Sequence, residues 1–131
     1  MTLDEMFQEQ RDFSGHWTRF GKLTPKQQEH HAKEYVLKLY KEVSELYEAI
    51  HNHQWKGERD QRTSSVPEEL RHMQEQNVAV RLEAVDCMKY LINILLCYNT
   101  TPTEFQGMFD WKSSINRERL EKRGKDATRK V

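Results

Sequence analysis

At 131 residues the chain is the size of one domain and can bury a core of its own. Lys and Arg number 21, as do Asp and Glu, so the formal net charge is zero, which speaks against a general nucleic-acid binder with its basic excess. Hydrophobic residues make up 36% and charged residues 32%, and only 5 Gly and 3 Pro occur, so long stretches without a breaker favour an all-α fold with a polar surface.

In chain order, residues 2–20 read as a first helix with Leu3, Met6, Phe7, Phe13, Trp17 and Phe20 as apolar anchors, open to a bend at Ser14-Gly15. Phe13 and Trp17 lie four apart and share a face, either as core packing or as an aromatic wall for a ligand ring. Thr24-Pro25 opens a second helix, with Thr as N-cap and Pro in the first turn, running to about Asn52. Val36, Leu39, Val43, Leu46 and Ile50 make its expected bundle-facing stripe, with Glu42 and Glu45 beside it. His30, His31, His51 and His53 have no nearby Cys and not the usual spacing of a helical zinc site.

Residues 54–66 form a polar loop in which Trp55 either packs on the bundle or covers a ligand. Pro67 opens a third helix expected to reach about Asn99, with a possible bend near Gln76-Asn77. Its core stripe is Leu82, Val85, Met88, Ile92 and Leu95. Glu83, Asp86, Tyr90 and Asn93 follow one another as a polar line along this apolar helix. Polar groups buried without partners cost free energy, so the line points to function. Thr101-Pro102 starts a fourth helix with Phe105, Met108, Phe109, Ile115 and Leu120 inward. Lys112, Asn116 and Arg119 step along one face of it, either as a phosphate-binding cluster or as a solvated face. Residues 1–120 thus read as a single domain, and the charged stretch 121–131 as a flexible tail.

No apolar run is long enough to span a bilayer, and the start MTLDEMFQEQ is unlike a secretory signal. Cys87 and Cys97, ten residues apart on one expected helix, would stand about 15 Å apart, too far for a disulfide. Free thiols, no membrane partner and no nucleic-acid partner together fit the cytoplasm.

The most informative pattern is a pair of acidic pairs. Glu42 and Glu45 are three apart, and Glu83 and Asp86 repeat the spacing. On facing helices these four carboxylates would converge and repel, which calls for a cation. Mg²⁺ takes hard oxygen ligands and commonly works with substrate phosphates.

Glu42-x-x-Glu45 followed by Glu83-x-x-Asp86 resembles the ExxE…ExxD signature of the all-α nucleoside triphosphate pyrophosphatases, which include the MazG proteins, dimeric dUTPases and dCTP pyrophosphatases. EVSELYEAI followed by Gln54-Trp55-Lys56, the step from Asp86 to Tyr90, the Lys112, Asn116, Arg119 series and the N-terminal QRDF are similar to dCTP pyrophosphatase or dUTPase patterns. The resemblance covers roughly residues 6–120 and departs at Lys41, where MazG proteins often carry Glu, and in a longer inter-motif loop.

The resemblance implies a four-to-five-helix MazG-like bundle completed by oligomerisation. It implies Mg²⁺, with Mn²⁺ as a substitute, held by Glu42, Glu45, Glu83 and Asp86. Lys56, Lys112, Asn116 and Arg119 would bind phosphate, and Phe13, Trp17, Trp55 and Tyr90 the base. The implied reaction is cleavage of a dNTP, dCTP or dUTP first, to dNMP and pyrophosphate. Partners would be the nucleotide and a second copy of the chain, as dimer or tetramer. Two alternatives stand beside it: the same chemistry on a purine or modified dNTP, and a non-catalytic helical interaction module.

Overall fold

The computed structural model describes residues 1–51, 67–70 and 75–129. Among them are four α-helices and one short 3-10 turn, without strands: α1 (Leu3–Ser14), α2 (Pro25–His51), the turn Glu68–Leu70, α3 (Glu75–Cys97) and α4 (Pro102–Arg129). The all-α expectation is met in this form. No helix among the described residues is long and apolar enough to cross a membrane.

Three helices start by the same local chemistry. Thr2, Thr24 and Thr101 each accept a hydrogen bond from the backbone N–H three residues on. In return Glu5, Gln27 and Glu104 accept from the cap residue's own N–H. Each exchange satisfies two donors that a helix start otherwise leaves unpaired. α3 ends by turning back on itself. Asn99 adopts a left-handed φ of 57°, its N–H reaches the Leu96 carbonyl, and the Thr100 N–H reaches Leu95. That pattern closes the helix and frees Thr101 to cap the next one.

α2 and α3 form the most extensive helix pair. Ala32 and Tyr35 meet Cys97 at one end, and Glu42 and Glu45 meet Glu83 further along, so the two run antiparallel. α1 closes one end of this pair: Phe7 packs with Ile92 and Leu96, and Leu96 is 0% exposed. Thr18, just past α1, shares a buried 2.6 Å hydrogen bond with the Tyr35 hydroxyl.

The structure revises several expected boundaries and faces. α1 stops at Ser14, with Gly15 as its C-cap residue still bonded to the Arg11 carbonyl, and a turn follows. Pro67 precedes the 3-10 turn Glu68–Leu70, and α3 is described from Glu75. The inward residues of α2 are Ala32, Tyr35, Leu39, Glu42, Leu46 and Ala49, whereas Val36, Val43 and Ile50 are about half exposed. The true stripe is therefore shifted by one position, and Glu42 lies on it rather than beside it. Small Ala32 and Ala49 allow the close approach that bulkier residues would block. On α3, Val85 and Met88 likewise face outward.

α4 differs most from expectation. Phe105 packs on Phe7 with ring centroids 6.0 Å apart, but Met108, Phe109 and Leu120 are exposed rather than inward. Among the described residues its only helix contact is with α1. It also continues to Arg129, into the charged stretch expected to be a flexible tail. Glu, Lys and Arg are good helix formers, and Arg117–Glu121 and Glu118–Lys122 are spaced for mutual support.

Candidate metal and nucleotide site

The antiparallel register of α2 and α3 brings the two acidic pairs together. Glu42, Glu45 and Glu83 each offer a carboxylate oxygen, and these oxygens lie within 4.8 Å of one another. Glu83 is 3% exposed, Glu42 is partly buried and Glu45 is exposed. Asp86 stands one helical turn on from Glu83 and lines the same cavity as Glu42.

The electrostatics follow from the crowding. The Glu42 carboxyl is pushed from its ordinary 4.5 up to about 7, first by burial, then by a hydrogen bond with Glu45 and by the charges of Glu45, Asp86 and Glu83. Its Oε2 is shielded from solvent and has no hydrogen-bond partner. Tyr90 and Cys87 are both raised by burial first and by these carboxylates second. A buried carboxylate oxygen without a donor, among other acids, suits a hard divalent cation such as Mg²⁺. The residues present fit that ion.

A cavity of about 550 Å³ opens beside the acids. Its wall comes from α1 and the turn after it (Gln10, Phe13, Ser14, Trp17), from α2 (Glu34, Tyr35, Lys38, Glu42) and from α3 (Asp86, Lys89, Tyr90, Asn93). That volume suits a small ligand. Phe13 and Trp17 meet edge to face, centroids 5.5 Å apart, and both are more than half exposed. They line the cavity and are not part of the core. Tyr90 lies with its ring 6.3 Å from Tyr35 on the same wall. A smaller hollow of about 360 Å³, lined by Arg11, Arg19 and Lys22 among others, holds none of the acids.

Seven of the twelve residues singled out by sequence therefore meet around one centre: Glu42, Glu45, Glu83, Asp86, Phe13, Trp17 and Tyr90. Lys112, Asn116 and Arg119 do not join them within one chain; they are exposed on α4 and line neither hollow. Lys56 and Trp55 lie outside the described residues.

Sequence reasoning missed Lys38 and Lys89 as site residues. Helical spacing carried the signal, because Lys38 is four before Glu42 and Lys89 three after Asp86. Gln10, Ser14 and Tyr35 had no such signal, since they reach the cavity only through the packing of α1 on α2 and α3. No family model, curated protein or solved structure matches this chain.

Proposed function

We propose that the chain is a Mg²⁺-dependent nucleoside triphosphate pyrophosphohydrolase of the all-α, MazG-like kind. Its substrate is a dNTP, dCTP or dUTP first, drawn from the cytoplasmic pool and cleaved to dNMP and pyrophosphate. The observation that carries the reading is the meeting of Glu42, Glu45 and Glu83 beside a cavity that Glu42 lines together with Phe13, Trp17, Tyr35 and Tyr90.

Glu42, Glu45, Glu83 and Asp86 would hold the metal. When bound, Mg²⁺ would neutralise charge on the phosphate oxygens as the bond from the α phosphorus to the α–β bridging oxygen breaks. Glu42 or Glu45 orients the attacking water and takes its proton. The water oxygen bonds to phosphorus, and pyrophosphate leaves with the bridging oxygen. Lys38 and Lys89, both on the cavity wall, provide positive charge for phosphate oxygens beside the acids. Phe13 and Trp17 offer ring faces to the base, where aromatic walls and a few polar groups usually set selectivity.

Self-association is part of the proposal. Met108, Phe109, Trp111 and Leu120 on α4, with Leu37, Tyr40 and Tyr47 on α2, leave more apolar surface open than a small monomer normally tolerates. A dimer, or a tetramer of dimers, would cover it. It would also give Lys112, Asn116 and Arg119 a cavity to serve, in a second copy.

A panel of dNTPs assayed for pyrophosphate release with and without excess EDTA tests the reading. Release from at least one dNTP, stopped by EDTA, is expected; full turnover in EDTA, or no release from any dNTP, refutes it. Light scattering at micromolar concentration should report a multiple of 15.8 kDa, and a monomer would refute the assembly.

A further inference from the structure

We propose that Asn93 selects the ligand's ring, its side-chain oxygen accepting a hydrogen bond from an N–H on the outer edge of a nucleobase. The inference rests on the nucleotide reading above and deepens it by naming the residue that reads the base.

Asn93 is only 3% exposed, yet it lines the cavity. Its Oδ1 is shielded from water and accepts no hydrogen bond. A buried acceptor left unmet is costly, and folded proteins pair nearly all such groups. The neighbouring wall is settled in a different way, since the Tyr35 hydroxyl is paired with Thr18 at 2.6 Å. The terminal torsion of an Asn side chain is broad, so a small turn presents the oxygen to the cavity.

The position agrees with the chemistry. Asn93 is seven residues on from Asp86, two helical turns and so roughly 10 Å along the same face of α3. That span matches a nucleoside monophosphate whose phosphate lies at the acids and whose base points away from them. α1 crosses at this end, where Phe7 packs on Ile92 and Leu96, and it brings Gln10, Phe13 and Ser14 to the cavity. The aromatic rings offer stacking, which every base accepts. Asn93 adds the directional contact that stacking lacks, and a site built to hydrogen-bond its ligand rejects analogues that leave its buried group unpaired.

The test uses the full chain and isothermal titration with the four 2′-deoxynucleoside 5′-monophosphates. Each is paired with an analogue whose outer-edge N–H groups carry methyl instead. For the preferred nucleotide, methylation should weaken binding by roughly tenfold or more. In Asn93→Ala, where the oxygen is gone and the space is larger, the unmodified nucleotide should fall to about the level of its methylated analogue. Deoxyribose 5-phosphate, which has no base, should bind both proteins equally. Equal binding of the methylated and unmodified forms to the wild type would overturn the assignment, and so would an unchanged methylation penalty in Asn93→Ala. The wild-type arm does not depend on whether the variant folds. If pyrophosphate release is seen but the methylation penalty is absent, only the Asn93 inference falls. If no dNTP is hydrolysed, the enzyme reading falls while the titration still decides Asn93; no binding of any monophosphate overturns the Asn93 inference and leaves the enzyme reading to the pyrophosphate assay.

Discussion

The seam between α2 and α3 and the outward run of α4 distribute their residues in opposite ways. The seam turns charge inward: Glu83 is buried, and Glu42 and Asp86 are partly so. α4 turns apolar residues outward, with Trp111 at 68% and Leu120 at 69% exposure. Each arrangement carries a free-energy cost in the isolated chain. Crowded carboxylates repel and lose hydration, and open apolar surface orders water. A cation relieves the first and a second copy relieves the second, as proposed above. The contrast is one of environment: on the proposed reading, the two regions would meet different partners.

The largest expected effect breaks the seam's chemistry without breaking its shape. Asp86→Asn removes ligand charge at nearly constant volume, and it should lower pyrophosphate release by roughly a hundredfold or more. Its circular dichroism and melting should stay close to wild type. Release within a few-fold of wild type would show that Asp86 is a solvated acid.

A pair of core and surface truncations then separates what folds the chain from what projects from it. Leu96→Ala leaves a cavity where α1 meets α3 and should destabilise by about 2–5 kcal/mol in denaturant melts. Met108→Ala on α4 should change the stability of a dissociated chain by no more than about 0.5 kcal/mol. Comparable losses at both sites would mean that α4 is packed more firmly than its contacts with α1 imply.

The pH dependence sharpens the electrostatic side. The Glu42 carboxyl sits at about 7 when folded, against an ordinary 4.5 when unfolded. Between these values the folded chain holds more proton than the unfolded chain, so this group makes stability fall as pH rises from about 4.5 to about 7. Below that window the carboxyl is protonated in both states and has no effect. Above it the full penalty is present, and Mg²⁺ bound as proposed would relieve it. Thermal melts should therefore show Mg²⁺ raising Tm more above the window than below, with Glu42→Gln flattening the slope. A Tm increase independent of pH would count against the acids as the binding group.

The smallest effect concerns the start of α4. Thr101→Ala removes the side chain that caps the helix at Glu104 and should cost about 1 kcal/mol in equilibrium melts. No measurable loss would mean that the helix start is held by Phe105 against Phe7 alone.

Much of this was legible in the sequence because its signals are local. A Thr followed by Pro marks a helix start through the cap and the first turn, and the starts at Thr24 and Thr101 are legible in that way. The acidic pairs were legible for a similar reason, since a three-residue step fixes a shared helix face whatever the helix packs against. The polar line Glu83, Asp86, Tyr90 and Asn93 also showed itself, because it interrupts an otherwise apolar helix.

Burial was less legible. Val43 and Glu42 are adjacent on α2, and hydrophobicity favours burying the valine; the structure buries more of the glutamate. One position of rotation about the helix axis separates the two outcomes. α3 decides it, since the small Ala32 and Ala49 allow the approach on that face. Met108 and Phe109 are the reverse case, because sequence records an apolar stripe and not whether anything lies against it.

The sequence by itself thus determined the helices, their caps and the spacing of the acids, all of which depend on neighbours within one or two turns. The tertiary structure alone decided that the acids meet, that Phe13 and Trp17 wall a cavity, that Lys38, Lys89 and Asn93 join it, and that α4 stands outward. Those outcomes depend on the register and rotation of helices far apart in the chain, where packing volume and the cost of desolvating charge outweigh any local preference.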